Sequence, residues 1–312
     1  MKKTIIIFLS LFLCEVLISQ DIHFSQIYND IIYENPSYTG NHNGLGKVHL
    51  INKDQWRSVS VPYKTFYFGF DKKLPLISGA FGLNFFQDKA GDLNLNNNHF
   101  NLTYSHLFKI NNSKIFFGIS SGLGQLKIDY SNLSVIDYEV FSISRINYLD
   151  LSLGATYTNY LNNNIYLENS FSASHINTPS ISLSDNSNTN LSVKYIFNTK
   201  MTYYLLYDNI TSVFKIVNQG PFNKIEVGSL YSFNHSSGYS VYPGLWYRNK
   251  DALIFSCGVK SKNYAIDFSY DLNISKLSNA SNYKGGFEVS IMYLFINKNI
   301  VELKDFICPD YL

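Results

Sequence analysis

The sequence predicts an all-β fold: a transmembrane outer-membrane β-barrel of about fourteen antiparallel strands, with short periplasmic turns and long extracellular loops. Three observations carry that expectation. Apolar and polar residues alternate with a period of two over many separate stretches, the mark of strands with one apolar and one polar face. The stretches run to about 9–12 residues, longer than ordinary globular strands and close to the ~9–11 needed to cross a bilayer at a tilt. The connections between them mostly take turns in being short and long, as in barrels with tight turns on one side of a membrane and loops on the other.

Taken in order, the elements support this reading. Lys2 and Lys3 precede an apolar run from Ile5 to Leu13, and Ser19 supplies a small residue before Gln20, so residues 1–19 read as a secretory signal peptide. Cys14 does not make a lipidation site, because bulky Leu13 stands where a small residue is needed. Residues 20–43 are too polar and interrupted for a strand. Asn35-Pro36 and Gly40 are turn formers, and Tyr28, Tyr33 and Tyr38 are amphipathic anchors. This segment is expected to be a periplasmic strap at the barrel mouth and, with the tail 297–312, a candidate plug if the lumen is closed.

The barrel is expected over 44–296, from a first strand near 44–54 to a last one at 285–296. A periplasmic tail follows over 297–312, so both termini of this integral outer-membrane protein would be periplasmic. Leu149, Leu151, Leu153, Ala155 and Tyr157 alternate with Asp150, Ser152, Gly154 and Thr156, and 264–271 and 287–295 repeat the pattern. Short polar turns are expected at 111–113, 161–164, 198–200, 234–238 and 260–262, and long loops at 126–147, 176–189, 209–222 and 272–284. The turn at 249–251 is short where a long loop is due. Residues 211–222 are apolar enough for a further strand, but a loop there keeps the strand number even, as bacterial barrels favour.

Composition narrows the function. Tyr, Phe and Trp make up 16% of the chain against 15% charged residues, yet mean hydropathy is only −0.07. No apolar run beyond the signal reaches the ~18 residues of a membrane helix. A net charge of +2 and only three arginines, Arg57, Arg145 and Arg248, exclude a nucleic-acid binder. Cys257 and Cys308 are too few and too distant for a disulfide scaffold and read as unpaired thiols. The alternative is a secreted soluble β-protein, a propeller or a sandwich: a propeller would need a repeat of about 40–50 residues, and none is present, while two packed sheets would leave their polar faces outward and tolerate shorter strands.

No reaction chemistry emerges. His23, His42, His49, His99, His106, His175 and His235 are scattered singly, without zinc-ligand spacing. There is no nucleophile elbow or phosphate loop. The glycines of "GISSGLG" (118–124) lie in a strand, where they thin the wall or permit a bulge. No enzyme activity, cofactor or metal is expected. Lumen-facing Asp150, Glu168, Asp267, Asp271 and Glu288 could line a channel, or pair with Lys194, Lys224 and Arg248 and block one.

The two ends of the chain resemble a known family. "FSQIYND", "NPSYTG", "NKDQW" and "PYKTFYFGFD", then "LWYRNKDALIF", "FSYDLNIS", "GGFEVSIMYLF" and the closing "CPDYL", are similar to the signatures of PorP/SprF barrels of the Bacteroidetes type IX secretion system. The matching positions are Phe24, Ser25, Gln26, Asn35, Pro36, Tyr38, Gly40, Gln55, Trp56, Tyr247, Arg248, Tyr270, Asp271 and Glu288, together with Pro62, Thr65, Asp71, Ser269 and Gly285. Three positions depart: Lys53-Asp54 replaces an Arg-Asn pair, and Phe287 stands where the family carries histidine. The resemblance implies an outer-membrane barrel that partners a secreted surface protein, an adhesin with a type B C-terminal domain, in export, surface anchoring and gliding. Its alternative is a core component linking the periplasmic ring of the machinery to the outer membrane. A polar lumen alone suggests a third reading, a passive porin.

Overall fold

The computed structural model describes residues 21–55, 62–91, 95–128, 145–183, 189–275 and 284–296. The signal peptide, Trp56, the C-terminal tail with Cys308, and most of the loops at 126–147 and 272–284 lie outside the described residues.

Fourteen strands form one closed antiparallel barrel, each paired with its neighbours in sequence. They are β1 Gly46–Gln55, β2 Tyr63–Leu74, β3 Gly79–Ala90, β4 Leu95–Ile110, β5 Ser113–Lys127, β6 Arg145–Asn162 and β7 Ile165–Ser174. There follow β8 Lys194–Tyr204, β9 Asn209–Gln219, β10 Phe222–Asn234, β11 Tyr239–Arg248, β12 Ala252–Ser261, β13 Tyr264–Asn273 and β14 Lys284–Phe295. Closure joins β14 to β1, with Gly46 opposite Phe295 and Gln55 opposite Gly286. A closed sheet leaves no unpaired edge, which a bilayer core requires.

The alternation read from the sequence separates two faces. On β6, Asp150, Ser152, Thr156 and Thr158 are buried inward while Leu149, Leu153 and Tyr157 are exposed outward. Phe117, Phe171, Phe255, Phe268 and Ile291 repeat the outward pattern around the wall, each 46–54% exposed. An apolar belt of this extent fits lipid, not water. Cys257 is also exposed and unpaired, on the outward phase of β12.

Two expectations about strands fail together and leave the number unchanged. Residues 198–200, expected to turn, lie inside β8, and 209–222, expected to loop, holds β9 and a tight turn. Asn198 and Lys200 look like turn residues because they are polar, but both face the lumen and bond to what fills it. In β9 the alternation is blurred because Val213 faces inward against an apolar filling, while Ser212 faces outward. The two rims remain distinct. One carries the compact links 75–78, 111–112, 163–164, 205–208, 235–238 and 262–263. The other carries the longer connections, with short links at 220–221 and 249–251.

Candidate functional site

The lumen is filled by residues 21–45, which run through it instead of strapping the mouth from below. Asp21 lies at the long-loop rim, where it accepts hydrogen bonds from His175 Nε2 (2.7 Å) and the Gln219 side chain lies near its amide. Leu45 lies at the opposite rim, donating its amide to Phe295 O (2.7 Å) just before β1 begins. The strap expected over 20–43 is therefore a plug, and its first described residue lies at the other end of the barrel from Phe295. The physical reason is complementarity: the inner wall carries charges and aromatics that match those of the segment.

Near the long-loop rim, Ser25 donates its amide to Glu288 Oε2 (2.7 Å) and its hydroxyl to Asp271 Oδ2 (2.9 Å). Gln26 bonds Glu288 through amide and side chain, and Ser290 donates to its Oε1 at 2.6 Å. Arg248, 1% exposed, holds the wall around this point, with Nε on Glu226 (2.7 Å) and Nη1 on Asp271 (3.0 Å). Lys53 Nζ donates to the His23 carbonyl at 2.8 Å. Deeper in, Tyr28 stacks on Trp246 with ring centroids 5.2 Å apart and donates to Asp267. Asp30 pairs with Lys200 at 2.6 Å.

The segment then doubles back. Glu34 receives both Lys215 Nζ bonds, at 2.7 and 2.9 Å, and Tyr33 packs edge-on to Phe86. A single 3-10 turn, Pro36–Tyr38, follows, because Pro36 fixes φ at its start and the Asn35 side chain accepts the Ser37 amide at 3.0 Å. Its near wall is made by Gly118 and Gly154: a Cβ on Gly118 would run into the Pro36–Ser37 peptide, and one on Gly154 into the Asn35 amide. These glycines thin the wall for the plug. The register of β5 against β4 is unbroken, so no bulge forms there. Gly40, at φ +77, turns the chain toward Asp71, which accepts the Gly40 amide at 3.1 Å.

Apolar packing seals what the ion pairs leave. Phe24, Ile31, Ile32 and Tyr33 join Ile51, Tyr67 and Phe86 in one cluster, and Ile27 and Tyr28 join Val213, Trp246 and Ile254 in another. At the long-loop rim, Ile181 and Leu191 of the connection after β7 pack on Leu126 and Tyr148. Charged groups outside the strands show what holds the plug's first residue. Burial alone would raise the Asp21 carboxyl, but His175 and Lys194 outweigh it and hold it well below the ordinary range. Burial alone would likewise lower His175, yet Asp21 and Asp150 raise it to about 9.

Of the sequence-predicted positions, the fold brings Phe24, Ser25, Gln26, Asn35, Pro36, Tyr38, Gly40, Arg248, Asp271 and Glu288 together in the lumen. Tyr247 and Tyr270 point outward, 41% and 37% exposed, and belong to the lipid belt. Gln55 ends β1 at the long-loop rim. Sequence reasoning missed Asp21, Glu34, His99, His175, Lys215 and Glu226. Their signal was available only as opposite charges on segments far apart in the chain. Among the described residues, no group of three or more His, Cys, Asp or Glu is arranged to hold a metal ion.

A closed antiparallel wall with a lipid-facing belt and a filled lumen defines a plugged outer-membrane-type barrel. The chain matches, over residues 16–293, the model of the type IX secretion system membrane protein family PorP/SprF, and belongs to that family. No curated protein matches it. Solved barrels share the fold alone. The CymD monoaromatic hydrocarbon channel is 10% identical, with 85% of this chain and 92% of that one covered and a TM-score of 0.52. The Ralstonia pickettii toluene transporter TbuX is 10% identical, with 85% and 93% covered and a TM-score of 0.53.

Proposed function

We propose that this chain is a sealed outer-membrane barrel that partners a type IX-secreted surface protein, an adhesin with a type B C-terminal domain, supporting its export and anchoring. The observation that carries the reading is the plug. Among the described residues, the plug fills the lumen with buried ion pairs and packed aromatics, which speaks against a passive porin and moves the function to the rims. In this reading the short-turn rim is periplasmic and the long-loop rim faces out, so Asp21 sits toward the cell surface and Phe295 toward the periplasm. The chain has no catalytic role.

Asn-, Ser- and Tyr-rich connections at the long-loop rim suit adaptable hydrogen bonding with aromatic contacts. Replacing residues 129–144 by a two-residue turn leaves Leu126 and Tyr148 in place. The barrel then assembles normally while the surface partner appears in the medium. An unchanged amount of partner on the cell surface refutes the reading.

A further inference from the structure

The short-turn mouth holds a cavity of about 530 Å³ between the plug and the wall from β2 to β8. That volume is within the range of ligand pockets. Lys73, Lys109, Lys114 and Lys200 line it, together with Asp30, Glu168 and His42. Both carboxylates are engaged by one lysine: Lys200 Nζ lies 2.6 Å from Asp30 and 2.9 Å from Glu168. Lys73 Nζ donates to the His42 carbonyl. Lys109 and Lys114 have no carboxylate within ion-pair distance among the described residues.

The placement of these two lysines is unfavourable on its own. They lie directly opposite each other across β4 and β5, beside the link at 111–112, where like charges repel. Two buried polar atoms on the cavity lining also have no partner among the described residues: His42 Nδ1 and the Ser105 hydroxyl. Native structures leave few such groups unsatisfied. Lys109 and Lys114, without a carboxylate within ion-pair distance among the described residues, and two unpaired polar atoms around one cavity fit a ligand that brings carboxylates and carbonyls.

We propose that this mouth binds an acidic polypeptide segment, contributed by a protein on the short-turn side. The spread of the lysines selects a peptide over a compact anion. Strands lie ~4.8 Å apart, so the lining along the wall from β2 to β8 spans roughly 29 Å, the length of about eight extended residues. Lysines act as separate point charges and lack the fork that grips a single phosphate. Asn41, Asn43, Asn112 and Asn159 on the same lining supply amides for a peptide backbone. This mouth is opposite the long-loop rim, so binding here is separate from that of the surface partner.

The test uses the purified full chain in detergent and a fluorescein-labelled oligoglutamate of about eight residues, matched to that span, read by anisotropy. The expected results are saturable binding, no binding of the glutamine analogue, and weakening as salt rises. The Lys109→Gln/Lys114→Gln chain should lose at least tenfold in affinity. Lys127→Gln, at the opposite end of β5, should lose less than twofold. Unaltered heat-dependent gel mobility confirms that each variant retains the barrel. Equal binding by the double variant, or equal loss in Lys127→Gln, overturns the proposal. So does displacement of the probe by inorganic phosphate at matched charge concentration, which would mark a small-anion site. A tenfold gain in the Glu302→Gln/Asp305→Asn/Asp310→Asn chain would make the chain's own C-terminal segment the occupant and overturn the proposal too.

Discussion

Replacing Lys215 by methionine tests the plug most sharply. Lys215 is 3% exposed, and its ammonium bonds both oxygens of Glu34 at 2.7 and 2.9 Å and lies 4.0 Å from Glu226. Glu226 retains Arg248 at 2.7 Å, but Glu34 has no second cation within ion-pair distance among the described residues. Methionine fills the same space and leaves the Glu34 carboxylate buried and uncompensated, at a cost of about 3–5 kcal/mol. At 1.4 kcal/mol per tenfold, the balance between seated and released plug shifts by roughly 10²–10⁴. In planar bilayers the native chain should be silent and Lys215→Met should show repeated opening events. Adding Glu34→Gln removes the stranded charge and should restore most of the silence. A Lys215→Met chain as silent and as heat-resistant as the native one would refute the reasoning. So would a double variant no better than the single.

Three further outcomes follow from the same structure. Gly118→Val drives a side chain into the Pro36–Ser37 peptide; it should destabilise plug seating by about 1–3 kcal/mol, read as channel opening with the barrel intact. The anchor at Asp21 should be pH-dependent. His175, raised to about 9, contributes stability that is full below 6.5 and is lost as pH rises through 9, whereas Asp21, held low, contributes above 3.8 and loses that contribution as pH falls. Proteolysis of the first plug residues should therefore be slowest between those two ordinary values and faster above pH 9, and His175→Gln should flatten the alkaline limb. Phe268→Arg places a charge on the lipid face, where Phe268 is 50% exposed, and should destabilise the folded barrel by about 2–4 kcal/mol near the bilayer midplane, measured by urea unfolding in lipid vesicles.

The barrel was legible in the sequence because its lipid face is apolar along most strands, which gives the strict alternation of β6 and β13. Legibility fell where the lumen departs from a simple polar face. Val213 and Trp246 face inward because the plug presents Ile27 and Tyr28 to them, so β9 lost its pattern. Asn198 and Lys200 imitated a turn because the plug supplies their partners. Sequence gave the plug's turn formers and tyrosines, but not its direction, which depends on pairs such as Asp21 with His175 and Glu34 with Lys215, each more than a hundred residues apart. Arg248, Asp271 and Glu288 were legible as signature positions, and their shared purpose became visible only when Ser25 was found between two of them.

The function proposed for the barrel is to hold a secreted protein with its lumen sealed. Its most direct test is gentle detergent extraction of the native barrel from its own outer membrane, with affinity capture and mass spectrometry. The account predicts one large secreted surface protein recovered in near-equal amount. Periplasmic ring and lipoprotein components in its place would assign the chain to the core of the machinery. A barrel recovered alone, and conducting steadily in bilayers, would contradict the account.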